Sequence, residues 1–289
     1  MSQPTGFRNT GNVCYFNSLL QALVSCQHFT NVVSTPGEQQ SYTIEEIRNL
    51  VRDLTNGKSV EKYGTNILSA LMNDLKRRSP EVLKSGFGGG HQSCVDEGFT
   101  HVLDMINNPI IDGLFDHVYE ERIVCNKCDK VIEAKRGKSN KFELFDEASL
   151  IRDGIAKNIL QNECNIPDYL PDKIHDCQDE SYRRVYRLKY IPKVVVVVLN
   201  RYRTTGRELI PRNPDVKLPD IFAMPGVEGK DIHFKKMAEV DHFGSLVGGH
   251  YVARCVRGFN VYKFDDLNMQ SSTLGTNVDT YLTFYERSE

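Results

Sequence analysis

The chain has no tryptophan and only six methionines among its 289 residues. It has no apolar run approaching the roughly 18 residues that a membrane-crossing helix needs. Its first residues, MSQPTGFRNT, lack the basic-then-apolar order of a secretory signal. Neither sign of charge dominates: 36 lysines and arginines face 38 acids, for a formal net charge of −2. That balance argues against nucleic acid or an anionic membrane surface as the main partner. Eight cysteines, two of them in a CxxC pair, suit a reducing compartment better than a disulfide scaffold. These absences predict a soluble intracellular protein, cytoplasmic or nuclear, acting as a monomer. The length admits one large domain or two small ones, with ample capacity for a core.

What is present points to chemistry. Residues 6–21, GFRNTGNVCYFNSLLQ, form a polar, glycine-punctuated turn that delivers Cys14 to the start of an apolar helical run. N–H groups at a helix N-terminus stabilise negative charge, so this position favours the nucleophilic thiolate. Asn9, Asn12 and Asn17 bring to the same turn amides able to donate to a developing oxyanion. Far along the chain, residues 248–266 read GGHYVARCVRGFNVYKFDD. His250 opens an alternating stretch, Tyr251 to Arg257. A turn at Gly258 leads to a second, Asn260 to Phe264, that ends at Asp265 and Asp266. In an antiparallel hairpin the start of the first strand lies beside the end of the second, which sets His250 against the aspartates. Cysteine, histidine and acid in that order make a thiol-hydrolase triad, in which the carboxylate fixes the imidazole tautomer. A lone cysteine is more often a core residue, and a lone strand histidine a structural one. Here each setting supports the other.

The spacing predicts helices over 43–56, with Thr43 and Glu46 as a capping box, over 66–77, briefly from Pro80, and over 94–107. From about residue 113 the pattern becomes β: Leu114–Cys125, Lys130–Ala134, one long strand over Val185–Leu199, and further strands in 232–257 and 260–287. The run Val194–Val198 fits a central strand buried on both faces. KRGKSNK, 135–141, reads as a loop. A helical first half, an antiparallel second half and a cleft between them define an α+β class.

The motifs, in order, resemble those of the ubiquitin-specific protease family, papain-like deubiquitinating cysteine proteases. GFRNTGNVCYFNSLLQ resembles the family's cysteine box, and HFGSLVGGHYVARCV followed by VYKFDD resembles its histidine box. IPKVVVVVLNRY (191–202) and YLTFYER (281–287) resemble its apolar and closing strands, and QSCVDEGFTHVLD (92–104) its glutamine-acid helix. Together they cover almost the whole chain.

The resemblance implies a single catalytic domain with a helical thumb (1–112), β fingers (mainly 113–190) and an antiparallel β palm (191–289). It implies hydrolysis of the isopeptide or peptide bond after the C-terminal Gly-Gly of ubiquitin. Asn9 matches the oxyanion donor, Asp265 the acid that orients His250, and Asp266 an assisting residue. Gly248, Gly249 and Tyr251 fall where the family lines a narrow channel for the Gly-Gly tail. Glu97 matches the family's glutamate. Cys94 stands where the family has a carboxylate that grips the tail, with Asp96 close enough to replace it. Cys125 and Cys128 match half of a structural zinc site. The other half reads Ile174-His175-Asp176-Cys177, so His175 and Cys177 complete a Cys3His set, with Cys164 a further candidate and remnant cysteines without zinc the alternative. Catalysis in this family needs no cofactor. Two other readings stay open: a protease for another Gly-Gly-ending ubiquitin-like modifier, and an inactive ubiquitin-binding module.

Overall fold

Apolar spacing in the first part of the chain is helical, and the computed structural model shows helices there. It describes residues 5–35, 41–84, 87–88, 93–144, 147–165, 177, 181–199, 204–205, 208–209, 216–225, 230–245 and 248–288. The helices are α1 (Cys14–Leu23), α2 (Gln27–Ser34), α3 (Tyr42–Thr55), α4 (Tyr63–Arg78), α5 (Pro80–Lys84), α6 (Val95–Ile106) and α7 (Pro109–Phe115). All ten residues of α1 are buried, as expected of a helix enclosed by its neighbours.

Two local readings change. The cap of α3 is Ser41, whose Oγ accepts from the Ile44 N–H at 3.2 Å. Thr43 is no cap, because its N–H and hydroxyl both donate to the buried Asp74 carboxylate of α4, each at 2.8 Å. The β pattern begins later than residue 113. Asn108 caps α7 by accepting from Ile110 and Ile111, and Pro109 is pre-set for the first helical position. Helix α2 was not anticipated; its buried side chains are Phe29 and Val33 alone, too few to show a periodicity.

The rest of the chain forms β1 (His117–Cys125), β2 (Val131–Ser139), β3 (Phe142–Leu144), α8 (Glu147–Leu160), β4 (Gln161–Asn165), β5 (Tyr182–Tyr190), β6 (Val194–Leu199), β7 (Thr204–Thr205), β8 (Glu208–Leu209), β9 (Ile221–Pro225), β10 (Asp231–Ser245), β11 (Gly248–Arg257), β12 (Asn260–Asp265), β13 (Asn268–Ser272) and β14 (Thr280–Arg287). One sheet has four strands in the order β2-β1-β5-β4. The larger has eight, β13-β12-β11-β10-β14-β6-β3 with β9 also on β10; β7 and β8 pair alone. The single strand expected over 185–199 is therefore two strands in different sheets. Pro192, which has no N–H to donate, lies in the break. Residues 135–139 belong to β2 rather than a loop, and the turn joining β1 to β2 is the CxxC itself. Helix α8 lies within the segment read as β fingers.

Alternation along β6 divides the interior. Val194, Val196 and Val198 join the core with α1 and the other helices, whereas Val195, Val197 and Leu199 join a second core with Ile155 and Ile159 of α8.

Behind the larger sheet lies a buried ionic network. Lys236 and Glu239 are fully buried and paired at 2.7 Å. Glu239 Oε2 accepts from the Gly275 N–H at 2.9 Å and faces Arg254 at 3.1 Å, while Arg254 clasps Asp241 through Nε and Nη2, each at 2.9 Å. Removing one charge strands another in a low-dielectric interior. Lys236→Met is expected to destabilise the fold by about 3–5 kcal/mol. A urea midpoint within error of the wild type would show the network to be dispensable.

Candidate active site

Cys14 is the first residue of α1, which packs against β11. The β11–β12 hairpin pairs Ala253 with Phe264 and Arg257 with Asn260. This register lays the start of β11 beside the end of β12, and His250 Nε2 meets Asp265 Oδ1 at 2.7 Å. Both side chains are about two-fifths exposed, at 40% and 43%. Nε2 is committed to the acid, so Nδ1 is the ring nitrogen left for the nucleophile.

Cys14 is buried, and the backbone N–H of Tyr251, the residue after His250, acts to lower its pKa. The helix that opens with Cys14 and the strand that carries His250 are thus packed together. The thiol is nevertheless not activated in the way its helix position suggests. Burial pushes its pKa above the ordinary thiol value and the Asp266 charge adds to the rise; N–H bonds from Tyr251 and Tyr15 oppose it without winning.

Asp266 is not a solvated turn residue. It sits in the left-handed region at φ 51°. Its Oδ2 accepts from Asn9 Nδ2 at 2.8 Å, its Oδ1 from Asn17 Nδ2 at 2.7 Å, and its carbonyl from the Phe7 N–H at 3.0 Å. Gly6 is required beside it, since a Cβ there would collide with the Asp266 carbonyl. Asn9 Oδ1 in turn accepts from the Gly11 N–H at 2.9 Å, which folds the turn and aims the amide. Asn17 is buried and its amide is committed twice, to Asp266 and to the Phe7 carbonyl at 3.5 Å. Asn12 sits at φ 52° and shapes the turn through its backbone.

Gly248 and Gly249 open β11 at the surface. Around Gly248 a side chain would meet nothing, but at Gly249 a Cβ would strike the Phe243 carbonyl and His242. The Tyr251 ring is buried and tilted against His242, with centroids 4.5 Å apart.

The two acids of α6 part company. Asp96 accepts from Lys141 Nζ at 2.8 Å and from the Tyr281 hydroxyl at 3.2 Å. Burial acts to raise its pKa, but hydrogen bonds from Cys94 and Lys141 outweigh this and hold it below the usual carboxylate value. Asp96, expected to stand in for the missing tail-gripping carboxylate, is paired with Lys141 within the chain. Glu97 stays 43% exposed, 3.6 Å from His101. Cys94 completes an internal cluster, with its sulfur 3.3 Å from the Tyr281 hydroxyl and accepting from the Tyr251 hydroxyl at 3.8 Å. Sequence reasoning missed Lys141 and Tyr281, which carry no local signal and meet α6 only through the tertiary fold.

At the far end of β1, Cys125, Cys128 and Cys177 bring their sulfurs within 4.8 Å of one another. Cys125 and Cys177 are 3.9 Å apart, too far for a disulfide at about 2.05 Å. That spacing matches the edge of a tetrahedron with metal–sulfur bonds of about 2.3 Å, so the thiols fit a structural metal. His175 lies outside the described residues, and Cys164 has its backbone in β4.

A helix that opens with a cysteine thus packs on the strand whose histidine is paired with an acid. The sequence profile of the ubiquitin carboxyl-terminal hydrolase family matches residues 5–285, and the chain belongs to that family. It is similar to the probable ubiquitin carboxyl-terminal hydrolase 4 of Schizosaccharomyces pombe, 23% identical over 99% of this chain and 59% of the relative. It is also similar to hydrolase 3 of that yeast, 26% identical over 52% and 30%, and to Usp2 of Drosophila melanogaster, 22% identical over 98% and 35%. The chain thus spans only part of the length of these relatives. Among solved structures it resembles Ubp8 in the SAGA DUB module bound to monoubiquitin, with a TM-score of 0.75, 17% identity, and coverage of 99% of this chain and 69% of that one.

Because the Cys14 pKa is raised, its thiolate fraction at neutral pH is small and grows as pH rises through and beyond the ordinary thiol range. Iodoacetamide alkylation of Cys14 should therefore accelerate up to a midpoint above that of an exposed thiol, and Asp266→Asn should move the midpoint down. A rate plateau already reached below about pH 6 would reveal a preformed ion pair instead.

Proposed function

We propose that the chain is a deubiquitinating thiol hydrolase that cleaves after the C-terminal Gly-Gly of ubiquitin. The observation that carries this is the packing of α1 against β11, which sets the helix that opens with Cys14 on the strand where His250 is held by Asp265.

His250 takes the Cys14 proton through Nδ1 as the sulfur attacks the glycine carbonyl, with Asp265 fixing the tautomer and supporting the imidazolium. The Asn9 amide, held by Asp266, supplies an oxyanion donor from its second hydrogen. Such a donor is worth about 3 kcal/mol. His250⁺ protonates the departing lysine amine, and a water deprotonated by His250 then releases the thioester. The exposed glycines 248 and 249 form a wall that admits a tail without side chains, and Glu97 is the acid available to it.

In this reading α1–α7 make the thumb, the four-stranded sheet the fingers and the eight-stranded sheet the palm. Cys125, Cys128 and Cys177, with His175 as fourth ligand, would hold a zinc ion that clamps the fingers. Four protein ligands leave no open position, so the metal supplies structure and the triad does the chemistry. The enzyme acts inside the cell as a monomer, in cytoplasm or nucleus. One observation favours a second substrate, a ubiquitin-like modifier also ending in Gly-Gly: the carboxylate at position 94 is replaced by cysteine, and Asp96 is internally paired.

Cys14→Ala should abolish release of a fluorophore from the ubiquitin C-terminus while retaining ubiquitin binding, and wild-type Cys14 should react with a ubiquitin C-terminal electrophile. Full turnover by Cys14→Ala would refute the mechanism, and no labelling would favour the inactive binding module. Asp265→Asn should lower kcat by about 10²-fold or more. If only Asp266→Asn did so, the orienting acid would be misassigned. The same assay with ubiquitin-like fluorophore conjugates ranks the two substrate classes. Prolonged chelation should release zinc and lower the melting temperature, with turnover per folded molecule preserved. Elemental analysis showing no metal in the purified protein would settle against the zinc clamp.

A further inference from the structure

Away from the catalytic residues, a half-open cavity of about 870 Å³ lies where α1, α3 and the β11–β12 turn converge. Cys14 and His250 sit at the opposite ends of the elements that build it. They are separated from it by about 14 Å along α1 and about 23 Å along β11, at 1.5 Å per helical and 3.3 Å per strand residue. Val24, Val51, Leu54 and Tyr262 give it an apolar wall, and Lys58 and Arg257 give it positive charge. No acid is present among the described residues that line it.

Arg257 is the unusual member. Its Nη1 donates to Ser25 Oγ and the Val256 carbonyl, and its Nη2 to the carbonyl and side-chain oxygen of Gln21 at 2.8 and 2.7 Å. Every one of these acceptors is neutral. Its guanidinium lies over the Phe264 ring at 5.3 Å, and no carboxylate pairs with it among the described residues. Burial alone lowers its pKa, and the neighbours that act against this are the thiols Cys255 and Cys26. Both are themselves pushed up by burial and so stay neutral. A desolvated cation without a counter-charge is costly, and an incoming anion recovers part of that cost. Lys58 at the rim is 63% exposed and forms an ion pair with Asp53 at 3.5 Å.

Beside the cavity, between its lining residues Gly258 and Asn260, the Phe259 side chain is fully exposed. A small anion inside the cavity would leave this ring in water. A macromolecular ligand would cover it, and a solvent-exposed aromatic next to an apolar pocket is what an interface anchor looks like.

We propose that this face docks an acidic peptide segment of a partner protein: a carboxylate pairs with Lys58 and the Arg257 charge, a neighbouring apolar side chain fills the Val24–Leu54 wall, and the backbone covers Phe259. Because Arg257 bonds Gln21 and Ser25, the segment would rest on the far end of the helix that carries Cys14.

The test is fluorescence anisotropy of the full chain with labelled eight-residue peptide pools that combine Asp or Glu with Leu, Ile or Phe, beside matched pools carrying Gln or Lys for the acids. The acidic pool should bind about ten-fold or more tightly than the Gln pool, lose affinity with added salt, and leave the Lys pool unbound. Lys58→Glu and Phe259→Ala change exposed side chains and should each weaken binding by a similar factor, with Cys14 alkylation kept at the wild-type rate as proof of folding. Arg257→Gln should do the same if its alkylation rate is normal. The proposal falls if no pool binds, if the Gln pool binds equally, if Lys58→Glu and Phe259→Ala both bind as wild type, or if inorganic phosphate alone displaces the peptide completely, which would mark a simple anion site.

Discussion

A helix with no exposed face, pressed against a strand from the other end of the chain, is the contact on which the site depends. The depth of α1 allows the backbone of β11 to approach the Cys14 sulfur. Water is excluded from the same junction, so the sulfur is harder to ionise. The result is a thiol held in place and made harder to ionise, on a helix packed against the strand that carries His250. Position and reactivity are set by the same burial, acting in opposite directions.

The acids at the end of β12 show how adjacent residues acquire different tasks. Asp265 continues the strand and turns outward to His250, half in water. Asp266 leaves the strand in a left-handed conformation and turns inward, where it gathers Asn9, Asn17 and the Phe7 backbone. The first affects a proton. The second joins the N-terminal turn to the palm, and its charge also discourages the thiolate.

Much of this was legible because it is local. Gly258 and the alternating stretches on either side of it define the hairpin, and the hairpin brings His250 to Asp265. The valine run announced a strand buried on both sides, and β6 is one. What escaped is what tertiary contact decides. Asp74 on a neighbouring helix draws Thr43 inward, so the cap moves to Ser41. The break at Pro192 sends two halves of one β-like segment into different sheets. The fate of Asp96 depends on Lys141 and Tyr281, which no spacing rule connects to α6. The Cys14 environment was misjudged for a related reason: a helix N-terminus is visible in sequence, whereas desolvation is not.

The consequences of β6 extend to the protein's life outside its native state. Six consecutive buried residues, VVVVVL, contain no charge, proline or glycine, and such a segment stacks readily with copies of itself once uncovered. In the folded chain one side is paired with β14, and among the described residues the other is paired with the three-residue β3. The cover that shields this adhesive stretch is therefore unequal. Detachment of β3 would bare a template for intermolecular strand addition, which makes integrity of that short flank a determinant of solubility during synthesis and heat stress.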